Sequence, residues 1–144
     1  MENNNEIKSK KIEFNISTSY LDDLVDKIDK KDLSAVDSLL AKLHPSDIAE
    51  VISNLPEKKR FELIALENFK INPHVIVELT DELQKDILEK ISSDRIVKIV
   101  NSLESDNALQ IIENLTVEKK DRVLTKLPLE DKNLFDAGAG IALN

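Results

Sequence analysis

Carboxylates are the most abundant chemically active groups in this chain of 144 residues, with 28 Asp and Glu against 20 Lys and Arg. Hard oxygen donors of this kind select Mg2+ or Ca2+. No Asp-x-Asp-x-Asp-Gly loop occurs, so a preformed calcium loop is not expected. Asp47, Glu57, Asp81, Asp94, Asp106, Glu118 and Glu130 each fall near a predicted helix start. There the partial positive charge of the helix dipole is reason enough for an acid. The chemistry left to them is an acidic face that captures a hydrated cation against another domain. His44 and His74 are the only histidines, in His44-Pro45 and Pro73-His74, and a structural or capping role is expected for His44.

Catalytic patterns are missing. The sequence holds no Gly-rich phosphate loop, no Gly-x-Ser-x-Gly elbow and no histidine pair at metal-ligand spacing. The chain is therefore not expected to be an enzyme. It has no cysteine, which removes disulfides, thiolate catalysis and thiolate zinc sites, and suits a reducing cytosol.

A formal net charge of −8 repels a phosphate backbone, and aromatics at 3% leave little for bases to stack on. Nucleic acid is not an expected partner. The clusters Lys8, Lys10, Lys11 and Lys58, Lys59, Arg60 read as solvated surface. No apolar run is longer than four residues, whereas a membrane span needs about 20. No direct membrane insertion is expected, and the start Met1-Glu2-Asn3-Asn4-Asn5 lacks the apolar stretch of a secretory signal.

The elements that would carry these groups are announced by a period of twelve. Leu43, Leu55, Leu79, Ile91, Leu103, Leu115 and Leu127 share one place in it, and Glu67 is the exception. Further along each segment comes an apolar pair: Val51-Ile52, Leu63-Ile64, Val75-Ile76, Ile87-Leu88, Ile99-Val100, Ile111-Ile112 and Val123-Leu124. In one continuous helix, at about 100° per residue, such a stripe would drift by about 120° per repeat and could not be buried. Helices broken once per repeat can bury it, because each connector resets the apolar face.

Pro45, Pro56 and Pro128 lie where a first helical turn accepts proline. Thr80-Asp81-Glu82, Ser92-Ser93-Asp94 and Glu104-Ser105-Asp106 offer capping oxygens and first-turn acids at the equivalent points. Each repeat is predicted to be a helix of about eight residues with a connector of about four. A lone helix that short is unstable in water and depends on its neighbours. The fold class that follows is all-α, a superhelix or solenoid of stacked short helices.

Residues 1–17 are polar and aperiodic and are expected to be flexible; residues 18–135 form the domain; residues 136–144, with Gly138 and Gly140, read as a tail or linker. Tyr20-Leu21, Leu24-Val25 and Ile28, then Leu33, Val36, Leu39, Leu40 and Leu43, predict two longer helices before the repeats, the first as an end cap.

The run Asp32-Leu33-Ser34-Ala35-Val36-Asp37-Ser38-Leu39-Leu40 into Leu43-His44-Pro45-Ser46-Asp47-Ile48-Ala49-Glu50 resembles the opening of the N domain of MgtE-type magnesium transporters. There a His-Pro-x-Asp-hydrophobic-Ala pattern follows such a helix. Leu79-Thr80-Asp81-Glu82-Leu83-Gln84 and Leu103-Glu104-Ser105-Asp106 continue the likeness, which covers roughly residues 20–135. The resemblance implies a right-handed superhelix at the cytoplasmic inner face of the membrane, in a homodimeric transporter, ahead of CBS domains and a transmembrane domain. It also implies Mg2+ held by carboxylates between the N and CBS domains, favouring a closed pore until depletion releases the N domain.

Asp106 stands where the family places a metal-facing acid, while Gln110 and His74 occupy two further positions where such domains often carry carboxylates. Glu78 and Glu104 are the acids placed to compensate, so the expected metal residues are Asp106, Glu104 and Glu78, with weak Mg2+ binding by the isolated domain. The alternative is a metal-independent adaptor like the related superhelical modules of flagellar motor switch proteins such as FliG.

Overall fold

The computed structural model describes residues 16–128. The expected flexible segment 1–17, apart from Ile16 and Ser17, and the expected tail 136–144 lie outside them. Among the described residues every regular element is an α-helix. The chain divides after Lys70 into two compact units.

The first unit holds α1 (Thr18–Asp29), α2 (Leu33–Leu40), α3 (Pro45–Asn54) and α4 (Glu57–Ala65). Helix α1 packs on α2 and α4, burying Leu24 and Ile28. It begins on Ser17, whose hydroxyl accepts the Tyr20 N–H. The Tyr20 hydroxyl then donates to the Leu39 carbonyl at 2.8 Å, fastening α1 to α2. Helix α2 has eight residues and stops at Leu40, short of Leu43. It is thus no longer than the repeat helices, because the chain turns through Ala41 and Lys42 and the Leu43 N–H closes back on Leu40 O at 3.1 Å.

The second unit holds α5 (Pro73–Glu78), α6 (Asp81–Lys90), α7 (Ser93–Asn101), α8 (Ser105–Glu113) and α9 (Val117–Lys126). Helix α7 packs on both α8 and α9, and α8 also meets α9. Helix α7 is thus touched by the next helix and by the next but one, the arrangement a helical repeat needs to cover short apolar faces.

The period is built into the helix starts. Helices begin at Pro45, Glu57, Asp81, Ser93, Ser105 and Val117, each a multiple of twelve from the first. Leu55, Leu79, Ile91, Leu115 and Leu127 are buried at the lead position, and of the apolar pairs only Leu124 is less than buried. The caps follow the sequence as well. Thr80, Ser92 and Thr116 accept the N–H three residues on, while Asn72 caps α5 through the His74 N–H.

The exception at Glu67 coincides with the one irregular repeat. Glu67 is exposed, Asn68 takes a left-handed backbone at φ 67°, and α5 starts only at Pro73 and runs six residues. A carboxylate stands where an apolar anchor belongs, the buried apolar residues are Leu66, Phe69 and Ile71 instead, and the division between the two units falls just after Lys70.

Candidate functional site

The acids predicted for first turns are found in them: Asp47, Glu57, Asp81, Asp94, Asp106 and Glu118. Glu130 lies outside the described residues. His44 is the N-cap of α3, and its backbone N–H donates to Asp47 Oδ2 at 3.3 Å. His74 lies in the first turn of α5 with its side chain exposed.

The three expected metal residues all belong to the second unit and all are exposed. Glu104 is the N-cap of α8, but its side chain makes no capping bond. Asp106 follows in the first turn and accepts the Asn107 N–H at 3.0 Å. Glu78 ends α5. The helix field treats them differently: at the start of α8 it attracts acids and repels a cation, whereas at the end of α5 it favours a cation.

Among the described residues no group of three or more His, Asp and Glu is gathered to hold a metal. The donor chemistry fits Mg2+, which keeps much of its water and takes one or two carboxylates. A closed set of protein ligands is not provided by these residues.

Lysines lower the pKa of two other acids. Lys126 of α9 reaches Asp94 of α7 at 2.8 Å and holds that carboxyl below the usual range. In α1, Lys30 and then Lys27 do the same to Asp26. Lys59 of α4 bonds Asp29 and Glu62, which raise its own pKa. These three line a half-open cavity of about 870 Å3 in the first unit, together with Lys31, Glu67 and Asn68. Its acids Asp29 and Glu62 are thereby already paired.

The polar interior is sparse and specific. Gln84 and Ser93 are the buried polar residues among those described, and Gln84 is 0% exposed. Its Nε2 donates to Ile76 O in α5 at 2.8 Å, and its Oε1 accepts from Asn114 Nδ2 at the end of α8. Arg60, at the equivalent place two repeats earlier, donates from Nε to Ile52 O at 3.0 Å. Ile52 and Ile76 are equivalent too, so one device recurs: a side chain in one helix ties down the last turn of the helix before it. Lys119 of α9 does similar work at the end of α6, donating to Leu88 O at 3.1 Å and Glu89 O at 2.6 Å.

Sequence reasoning passed over Gln84. The signal was present, since Gln84 sits on the same helix face as Ile87, Leu88 and Ile91 and shares its repeat position with Ile48, Ile96 and Ala108.

Short capped helices stacked on neighbours, with no helix among the described residues long and apolar enough to cross a membrane, define a helical-repeat module. The family model of the MgtE intracellular N domain matches residues 43–139, and the chain belongs to that family. Its fold is similar to the crystal structure of the soluble part of a magnesium transporter, with TM-score 0.69 and 18% identity over 83% of this chain. That alignment takes in 47% of the other chain, so the present chain spans about half its length. No curated protein matches.

Proposed function

We propose that this chain is the cytosolic regulatory domain of a magnesium transporter, sensing Mg2+ and gating the pore by docking to neighbouring CBS domains of a homodimer. The observation that carries this reading is the family match over residues 43–139. The incomplete ligand set supports a bridging role: exposed Glu78, Glu104 and Asp106 supply part of a coordination shell, and another domain supplies the remainder. Ion binding then acts by mass action, since a cation that binds the docked arrangement better shifts the population toward it.

The test is a Mg2+ titration of the chain followed by amide shifts, with K+ matched for ionic strength so that screening cannot imitate binding. Saturable shifts around Glu78, Glu104 and Asp106, lost in a Glu78→Gln, Asp106→Asn variant, are expected. The same saturable titration in that variant would remove these acids from the site. Uniform, unsaturated drift in both would replace ion sensing with a docking role that needs no metal.

A further inference from the structure

We propose that the amide pair of buried Gln84 and half-buried Asn114 is a clamp that positions α5 relative to α8, and with them the carboxylate of Glu78 relative to those of Glu104 and Asp106. The consequence for ion sensing rests on the function proposed above, but the clamp itself does not.

The geometry is specific. From α6, Gln84 reaches in both directions: Nε2 to Ile76 O in α5 at 2.8 Å, and Oε1 to the amide of Asn114, the residue that terminates α8. The same Asn114 Nδ2 lies 3.4 Å from Asp81 Oδ1 in the first turn of α6. Glu78 follows Ile76 by two residues, and Asp106 lies in the helix that Asn114 ends. No buried side-chain N or O among the described residues lacks a partner. A satisfied amide link therefore joins the two helices that carry the candidate ligands.

Such a link does what the apolar core does not. The apolar side chains Leu83, Ile87 and Leu88 of α6 and Ile111 and Ile112 of α8 are aliphatic and buried. Contacts of that type are non-directional and tolerate small slides and rotations. Hydrogen bonds between amides weaken steeply with distance and angle, and a buried amide without a partner carries a desolvation cost. Only arrangements that satisfy both ends of Gln84 avoid that cost. Single buried polar residues select one register among several in coiled coils by the same reasoning.

Elsewhere in the chain the equivalent place holds the polar Arg60, Asn72 and Lys120 but also Ile48, Ile96 and Ala108, so an aliphatic residue is compatible with the repeat. Gln84→Leu is accordingly expected to fold, and Asn114→Leu, at a half-buried helix end, provides a second variant. The experiment compares amide residual dipolar couplings of α5 and α8 in the wild-type chain and both variants without Mg2+, with far-UV circular dichroism as the check on helix content.

Retained helix content with doubled amide peaks, or with α5 and α8 couplings that no longer fit the wild-type orientation, is expected in both variants. Single peaks and couplings that fit the wild-type orientation in either variant would overturn the clamp and leave Gln84 as a buried amide that merely found partners. A Mg2+ titration of the same samples separates the two proposals. If the wild-type chain shows no saturable shift, the sensing function fails while the couplings still decide the clamp. If it does, the variants are expected to bind at least about tenfold more weakly, the usual effect of disturbing groups that support metal ligands.

Discussion

Asp94 and Lys126 illustrate how little an exposed ion pair says about function. The pair joins α7 to α9 at 2.8 Å with both side chains well exposed, where solvent and salt leave a contact of this kind a small stabilising effect. Its signature is nevertheless legible through pH. Lys126 lowers the folded-state pKa of Asp94, so its contribution is complete above the unfolded carboxylate pKa, about pH 4, and is lost as pH falls through the lower folded value. Asp94→Asn is expected to lower the urea midpoint slightly at neutral pH and low salt, and the gap to the wild-type chain is expected to close below about pH 4. A gap that stayed constant through the acid range would mean that the pair does not couple the helices. Among the described residues no lysine or arginine pairs with the three acids expected at the metal site, and the Mg2+ titration is their proper test.

Helix boundaries carry most of the local logic. Thr80, Ser92 and Thr116 cap the starts of α6, α7 and α9, Pro45 and Pro73 occupy first-turn positions, and hydrophobic anchors follow at fixed distance. Two connectors depart from this economy by using left-handed backbone at residues with side chains, Lys31 at φ 55° and Asn68 at φ 67°. Asparagine tolerates that region through local hydrogen bonding, and lysine has no such compensation. Lys31→Gly is expected to stabilise the chain by up to about 1 kcal/mol, since glycine enters the left-handed region without a Cβ clash. Thermal or urea unfolding checks it, and a destabilised Lys31→Gly variant would show that the lysine side chain, at the lip of the first unit's cavity, contributes more than its backbone costs.

Stability belongs to the stack and not to any one helix. The repeat helices run from six to ten residues, too short to persist alone in water. Ile111 is fully buried in α8, and α8 meets both α7 and α9. Ile111→Ala is expected to cost about 2–5 kcal/mol, a large part of the roughly 5–15 kcal/mol that a domain possesses. Because neighbours hold one another in place, native-state hydrogen exchange is expected to speed up in α7 and α9 as well as α8. Faster exchange confined to α8 would mean that the helices open independently.

The repeat was visible in the primary structure because its cause is local: leucines and isoleucines at a fixed place, hydroxyls before the starts of α6, α7 and α9, and acids in the first turns of α3, α4 and α6 to α9. From these followed the all-helical class, six helix starts at multiples of twelve, and the irregular repeat flagged by Glu67 in place of an aliphatic anchor. The family resemblance rested on the same residues and is borne out by the match over residues 43–139. What depended on three-dimensional packing was which helices meet. The Gln84–Asn114 bond joins residues 30 positions apart, and Lys119 reaches a carbonyl 31 positions back. Periodicity states that a face is apolar without stating which other face covers it, or which polar group on that face finds a partner there. The grouping of carboxylates from different helices is likewise a product of packing, and for that reason the family resemblance named Glu78, Glu104 and Asp106 without assembling them.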